Sequence, residues 1–184
     1  MGKRRVWLAL VLLAAAVAVS VPLTLISLAS AGAECSVTDE ARHATARFRD
    51  FHTAKQAGYN ALVVDVDGLS CIENQPVGGM GSLYAKPKLL MDGGAIDPAE
   101  PEALVFVSGA AGHPKLAALV YIVYASDWEK LGHGADDPPT LFGRPYRLTA
   151  FPNRFAVAFW SLHVWIWQPN PAGTFQPWNP TVHC

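Results

Sequence analysis

His163, Trp165 and Trp167 stand two residues apart in a run, Phe155 to Trp167, that carries no Asp, Glu, Lys or Arg. Residues i and i+2 share a face of an extended strand, so this spacing sets one imidazole beside two indoles. An aromatic-lined pocket with a single hydrogen-bonding or acid–base group is the chemistry open to such a triplet. The competing account is a core strand whose histidine is satisfied by a hydrogen bond. Tyr84 and Tyr121, on two other predicted strands, complete the set of ligand-contacting candidates.

Other clusters carry weaker chemistry. Gly78-Gly79-Met80-Gly81-Ser82 can present backbone N–H groups to an anion. It lacks the lysine of a phosphate-binding loop and the spacing of a dinucleotide fingerprint, so a tight turn or a close backbone approach accounts for it better. Asp65-Val66-Asp67-Gly68 opens like a calcium loop, but the acid needed at loop position 12 falls on Pro76, which leaves a turn. Asp92, Asp97, Glu100 and Glu102 share one loop rich in Pro and Gly; they read as a calcium-holding cluster or, more simply, as a solvated acidic loop. None of His43, His52, His113 and His133 forms an i, i+4 pair with another histidine, and H-E-x-x-H, C-x-x-C and G-x-S-x-G are all absent. No metal ligands and no cofactor are expected.

The chain that carries these groups has 184 residues, enough for one domain. Lys3, Arg4 and Arg5 precede an uncharged stretch, Val6–Ala31, that ends in small residues. This is the layout of a secretory signal, cleaved after Ala31. The stretch is also long enough to cross a bilayer core of ~30 Å as a helix, so an uncleaved anchor is the alternative. Glu34 just before Cys35 departs from a lipoprotein signal. Residues 32–37 then form a leader and residues 38–184 a single globular domain, placed outside the cytoplasm in either case. Without Lys3, Arg4 and Arg5, 11 basic residues face 15 acidic ones, a net charge of −4. With no basic run, a nucleic acid is not an expected partner.

All three cysteines, Cys35, Cys71 and Cys184, follow the export segment. In an oxidising compartment they predict one disulfide and one free thiol. Cys71–Cys184 is the favoured pair; it closes a long loop, worth ~3–5 kcal/mol in the chain-entropy account. Pairing through Cys35 is the alternative.

Thr38 or Asp39 is an expected helix N-cap. Ala41, Ala44, Phe48, Phe51 and Ala54 recur at helical spacing, and Gly58 is a stop, giving an amphipathic helix of about five turns. Ala61–Val64 reads as a strand and 65–80 as a loop containing Cys71. A short strand begins at Leu83 and Tyr84. Ala103–Val107 and Lys115–Tyr124 form a hairpin, 126–131 a helical turn, and Tyr146–Thr149 a short strand. Arg154–Trp167, apolar on both faces, predicts a central strand covered on each side. The tail, with four prolines between Gln168 and Cys184, is expected to run extended over the surface. The class is α+β: one N-terminal amphipathic helix packed on a mainly antiparallel sheet, with long loops and a Pro-rich C-terminal tail.

Ala57-Gly58-Tyr59, Cys71, Gly79-Met80-Gly81 with Tyr84, Asp97-Pro98 with Pro101-Glu102, and Leu141-Phe142-Gly143 also occur together. They precede His163-Val164-Trp165-Ile166-Trp167, then Asn170-Pro171-Ala172-Gly173 and Trp178-Asn179-Pro180 through to Cys184. This set resembles a family of uncharacterised exported bacterial proteins over nearly all of residues 32–184, most specifically at the C-terminal end. The resemblance implies a compartment and domain limits but no reaction. It also implies His at position 83 and Glu at position 120, where this chain has Leu83 and Val120. Such a pair would face across the sheet as a His–carboxylate couple or part of a metal site. Replacing both partners costs little, whereas losing one strands a polar group.

The functional expectation is an exported, non-catalytic domain that binds a small molecule or a cell-envelope component in an aromatic-lined cleft near His163. Two alternatives are an extracellular hydrolase or metal-dependent enzyme centred on His163, and a structural envelope domain whose aromatic face is all core.

Overall fold

The computed structural model describes residues 37–150 and 153–184. The expected export segment and Cys35 lie outside the described residues. The N-terminal helical segment begins where the apolar spacing places it, but it is not one helix. α1 (Asp39–Thr45) passes into a 3-10 turn (Ala46–Arg49), and α2 (Phe51–Gln56) follows. The break is Asp50, extended at φ −83° and ψ 114°, whose carboxylate accepts the Thr53 N–H at 2.7 Å and caps α2. The helical spacing reads through this break because Ala41, Phe48 and Ala54 still reach one core. Gly58, at φ +100°, ends the segment in the left-handed region.

The remaining elements are β1 (Ala61–Leu62), β2 (Cys71–Asn74), β3 (Gly78–Ala85), α3 (Pro87–Leu90), β4 (Ala103–Ser108), β5 (Pro114–Tyr124), α4 (Ala125–Lys130), β6 (Thr140–Leu141), β7 (Arg144–Pro145), β8 (Arg147–Thr149) and β9 (Phe159–Val164). The main sheet runs β1-β3-β4-β5-β9-β8, with β2 continuing the β1 edge along the first half of β3. Every pairing in it is antiparallel. The fold is α+β, as the order of elements in the sequence predicts.

The two sheet faces have different coverings. Leu104, Phe106, Leu119, Tyr121, Trp160, Leu162 and Val164 pack under the helical segment. On the other face lie Leu83, Ala85, Ala103, Val105, Ala118 and Val120, met by Trp165 and Val182 of the C-terminal tail. A bulge at Ala117 shifts the register between β4 and β5. The Ala117 carbonyl then accepts both Trp167 N–H, at 3.1 Å, and Gln168 N–H, at 3.0 Å, and so fixes the start of the tail.

Two expectations need correction. The segment 65–80 is not loop throughout: β2 and the start of β3 form a hairpin, and the glycine cluster is strand. Gly78 and Gly79 carry no side chain because the tail crosses them. A Cβ on Gly79 would lie 2.8 Å from the Val182 carbonyl oxygen, and one on Gly78 would strike the Asn179 backbone. Gly79 and Asn179 instead exchange backbone hydrogen bonds of 3.1 and 3.0 Å. The strand expected over Arg154–Trp167 is also shorter and not the central one. It spans Phe159–Val164, between β5 and the three-residue β8. Residues 153–158 turn instead, because the Asn153 side chain accepts Phe155 N–H at 2.7 Å and donates to the Ala150 carbonyl at 3.0 Å.

Cys71 on β2 is bonded to Cys184, with Cα atoms 5.7 Å apart and 113 positions between them in sequence. Among the described residues no helix is long and apolar enough to cross a membrane. Replacing both cysteines by serine is expected to lower stability by ~3–5 kcal/mol in urea unfolding, because the open chain regains the entropy of that loop. A loss below ~1 kcal/mol would mean that the Asn179 and glycine contacts hold the tail unaided.

Candidate functional site

Where the tail leaves the sheet, a cavity of about 480 Å³ opens on the tail-side face. Its floor is made by Leu83 of β3, Val120 and Ile122 of β5, and Ser161 and His163 of β9. The alternation read in the sequence holds here: Phe155, Val157, Phe159, Ser161 and His163 all line it, although only the last three are strand. Val120 and His163 are direct cross-strand partners. Leu83 is two strands from Val120 on the same face, and both border the cavity.

Several local devices hold the walls. The Asp65 side chain accepts the N–H groups of Asp67, at 3.0 Å, and Leu69, at 2.8 Å, which closes the expected turn. Its other oxygen takes an ion pair from Arg154, and Val66 N–H donates to the Arg154 carbonyl at 2.7 Å. Val64 on one wall is thus tied to Phe155 on another. Burial would raise the Asp65 carboxyl, but the Leu69 N–H, the bond and charge of Arg154, and the Asp67 N–H hold it below the usual carboxylate range. Trp178 of the tail supplies a further wall, behind Asn179, whose side-chain N–H donates to the Pro169 carbonyl at 3.0 Å.

His163 sits in the floor, 6 % exposed, and its buried Nε2 has no hydrogen-bond partner among the described residues. Burial pushes the imidazole down to about 4, and the Arg147 guanidinium pushes the same way. The ring is therefore neutral at physiological pH. Arg147, opposite Ser161 on β8, is the one charged side chain among the described lining residues, and none of them is acidic. No protein family model, curated protein or solved structure matches this chain. The site must be read from its own geometry.

The structure separates the sequence candidates. Trp165 lies on the His163 side but in the core beneath the tail, 4 % exposed, with its indole N–H donated to the Gln176 carbonyl at 2.7 Å. Trp167 is not on that face. The strand ends at Val164, the alternation is lost, and the Trp167 indole packs against the helical core. Its N–H donates to Thr45 Oγ1 at 3.2 Å, with the guanidinium groups of Arg42 and Arg49 over the ring at 5.3 and 5.6 Å. Tyr84 and Tyr121 are likewise on the helical face. Tyr84 meets Phe51 edge-on at 5.0 Å, and Tyr121 donates to the Pro98 carbonyl at 2.7 Å. Arg147, Met80 and Trp178 join the cavity from three separate segments, and no periodicity announces them.

The acidic loop is also resolved into parts. Asp92 caps Gly94 and Ala95, Asp97 caps Ala99, and Glu100 pairs with Lys86 at 3.6 Å. Glu102 differs: it is buried, and it accepts the Ile122 N–H at 2.8 Å. Burial raises its carboxyl to about 8. The N–H groups of Ile122 and of Glu102 itself oppose this, and the charges of Asp92 and Glu100 add to it. Among the described residues no three His, Cys, Asp or Glu side chains gather closely enough to hold a metal ion.

Two pH effects follow, with opposite signs. The unfolded chain takes up the His163 proton near 6.5 and the folded chain only near 4, so stability falls as pH drops through that window, by on the order of 3 kcal/mol. Chemical denaturation of His163→Leu should lack this component. Folded Glu102 keeps its proton up to about 8 while the unfolded chain loses it near 4.5, so stability falls as pH rises between them. Glu102→Gln should match the wild type at pH ~4 and exceed it by a few kcal/mol at pH ~9.

Proposed function

We propose that this protein is an exported, non-catalytic binding domain whose ligand enters the cavity above His163. One observation carries the reading: a cavity of about 480 Å³ with a largely apolar lining has His163 in its floor, and the buried Nε2 of that ring has no partner among the described residues. Its volume lies in the ~300–1,000 Å³ range of small-molecule sites. An unpaired buried polar atom costs ~1–3 kcal/mol, and a ligand with a complementary group offsets that cost on binding. The Cys71–Cys184 bond is of the kind an oxidising compartment sustains, which supports export.

A hydrolase or metal-dependent enzyme centred on His163 would need a carboxylate within ~3 Å of the ring to orient it. Among the described residues no carboxylate hydrogen-bonds to the ring, and the charge that acts on it is the cation Arg147. That arrangement favours binding over acid–base chemistry.

Titration with a neutral fluorescent apolar probe, N-phenyl-1-naphthylamine, is expected to show saturable binding to the wild type. Val120→Phe fills the floor beside His163 and should weaken the probe about tenfold or more, with the melting temperature kept within a few degrees. Equal probe binding by the two proteins would place the probe elsewhere and overturn the reading.

A further inference from the structure

Tyr124, Thr149 and the Trp178 indole aside, the polar side chains that line this cavity stand together. Arg147 stands directly across from Ser161 on neighbouring strands, and His163 follows on the same face of β9. Met80, Leu83, Leu90 and Val63 line the cavity from other segments, and all are apolar. Charge is equally one-sided, with a single cation and no acid among the described lining residues. Arg147 spends one contact on Gln176, at 2.9 Å. A guanidinium has five N–H donors, so most of its capacity is open. Three large lining residues, Val64, Leu148 and Val157, are 50 %, 39 % and 44 % exposed. Apolar surface therefore continues out of the mouth, where a chain-like ligand would cover it.

We propose, resting on the binding reading above, that the ligand is a single-chain amphiphile with a carboxylate head. The head lies against Arg147 and His163 Nε2, and the aliphatic chain runs over Leu83 and Met80. The chemistry is complementary at each end. A guanidinium forms charge-assisted, often paired hydrogen bonds with a carboxylate. A neutral imidazole with its proton on Nε2, an atom buried in the unliganded protein, donates to the second oxygen once the ring turns toward the head, and gains the partner it lacks among the described residues. The chain removes apolar lining from water. A cationic amphiphile would meet Arg147 with no acid to balance it, and a short carboxylate would leave the apolar part of the cavity unfilled.

The test is displacement of N-phenyl-1-naphthylamine from the purified disulfide-bonded domain by dodecanoate, dodecanol, dodecyltrimethylammonium and butyrate, each below its aggregation threshold. Dodecanoate is expected to bind about tenfold or more tightly than dodecanol, with butyrate and the cation weaker still. Arg147 is exposed, so Arg147→Gln should fold normally. It should bring dodecanoate down to the level of dodecanol and leave dodecanol within about twofold of the wild type. His163→Leu should weaken dodecanoate while dodecanol is held or improved. Equal binding of dodecanol and dodecanoate by the wild type, or discrimination that survives Arg147→Gln, would overturn the head-group assignment and leave the apolar cavity standing. Failure of every chain compound to displace the probe would overturn the binding reading itself.

Discussion

β5 is buried on both faces from Leu116 to Val120, and the rest of the fold answers that constraint. A strand with apolar residues on each side must be covered on each side. The helical segment covers one face with Phe48 and Phe51, joined by Tyr59 just after it. The other face has no helical layer of comparable extent. The Pro-rich tail packs on it, where alanines and glycines alternate with Leu83, Val105 and Val120. Ala85, Ala103 and Ala118 leave room for the tail side chains, and Gly78 and Gly79 let its backbone approach. A disulfide at the last residue holds this covering in place. A tail is narrower than a sheet. Where it turns away over Pro177 and Trp178, the face beside β9 is left as a cavity.

Two buried ionisable groups on opposite faces of this sheet illustrate how structural and ligand-directed polarity differ. Glu102 sits at the end of β4, where the next N–H of β5 would otherwise be unpaired, and its carboxyl accepts that N–H. It finishes a ladder, so its burial has a structural account. His163 finishes nothing. Its ring lies in the floor of a cavity, the residue opposite is Val120, and its Nε2 is unpaired. Both groups stay neutral near pH 7 through burial, but only the second has a buried polar atom with no partner among the described residues.

The positions of Leu83 and Val120 bear on the same point. The motif resemblance implies a polar pair at these positions, and both border the cavity on one face. Val120 is the direct cross-strand neighbour of His163, while Leu83 lies three strands away on the same face. Both positions add apolar side chains to the cavity lining.

Local chemistry was legible in the sequence wherever a signal spans only a few residues. The helix stop at Gly58, the β4–β5 hairpin, the Asp65 turn and the shared side of Phe159, Ser161 and His163 all rest on short-range geometry that spacing encodes, whereas the favoured Cys71–Cys184 pair joins residues 113 positions apart and needed the tertiary structure. The site was half legible. Period-two alternation marked His163, but it carried on to Trp167, which the end of β9 sends to the other face. The glycine cluster was visible, but its role was not, because the reason for it is a segment about a hundred residues away. Only tertiary structure decided which face the tail would cover, how far that cover reached, and that Arg147, Val120, Leu83 and Trp178 would line one cavity with His163. Those outcomes depend on strand order and on steric fit between distant segments, and neither quantity has a local signature in the chain.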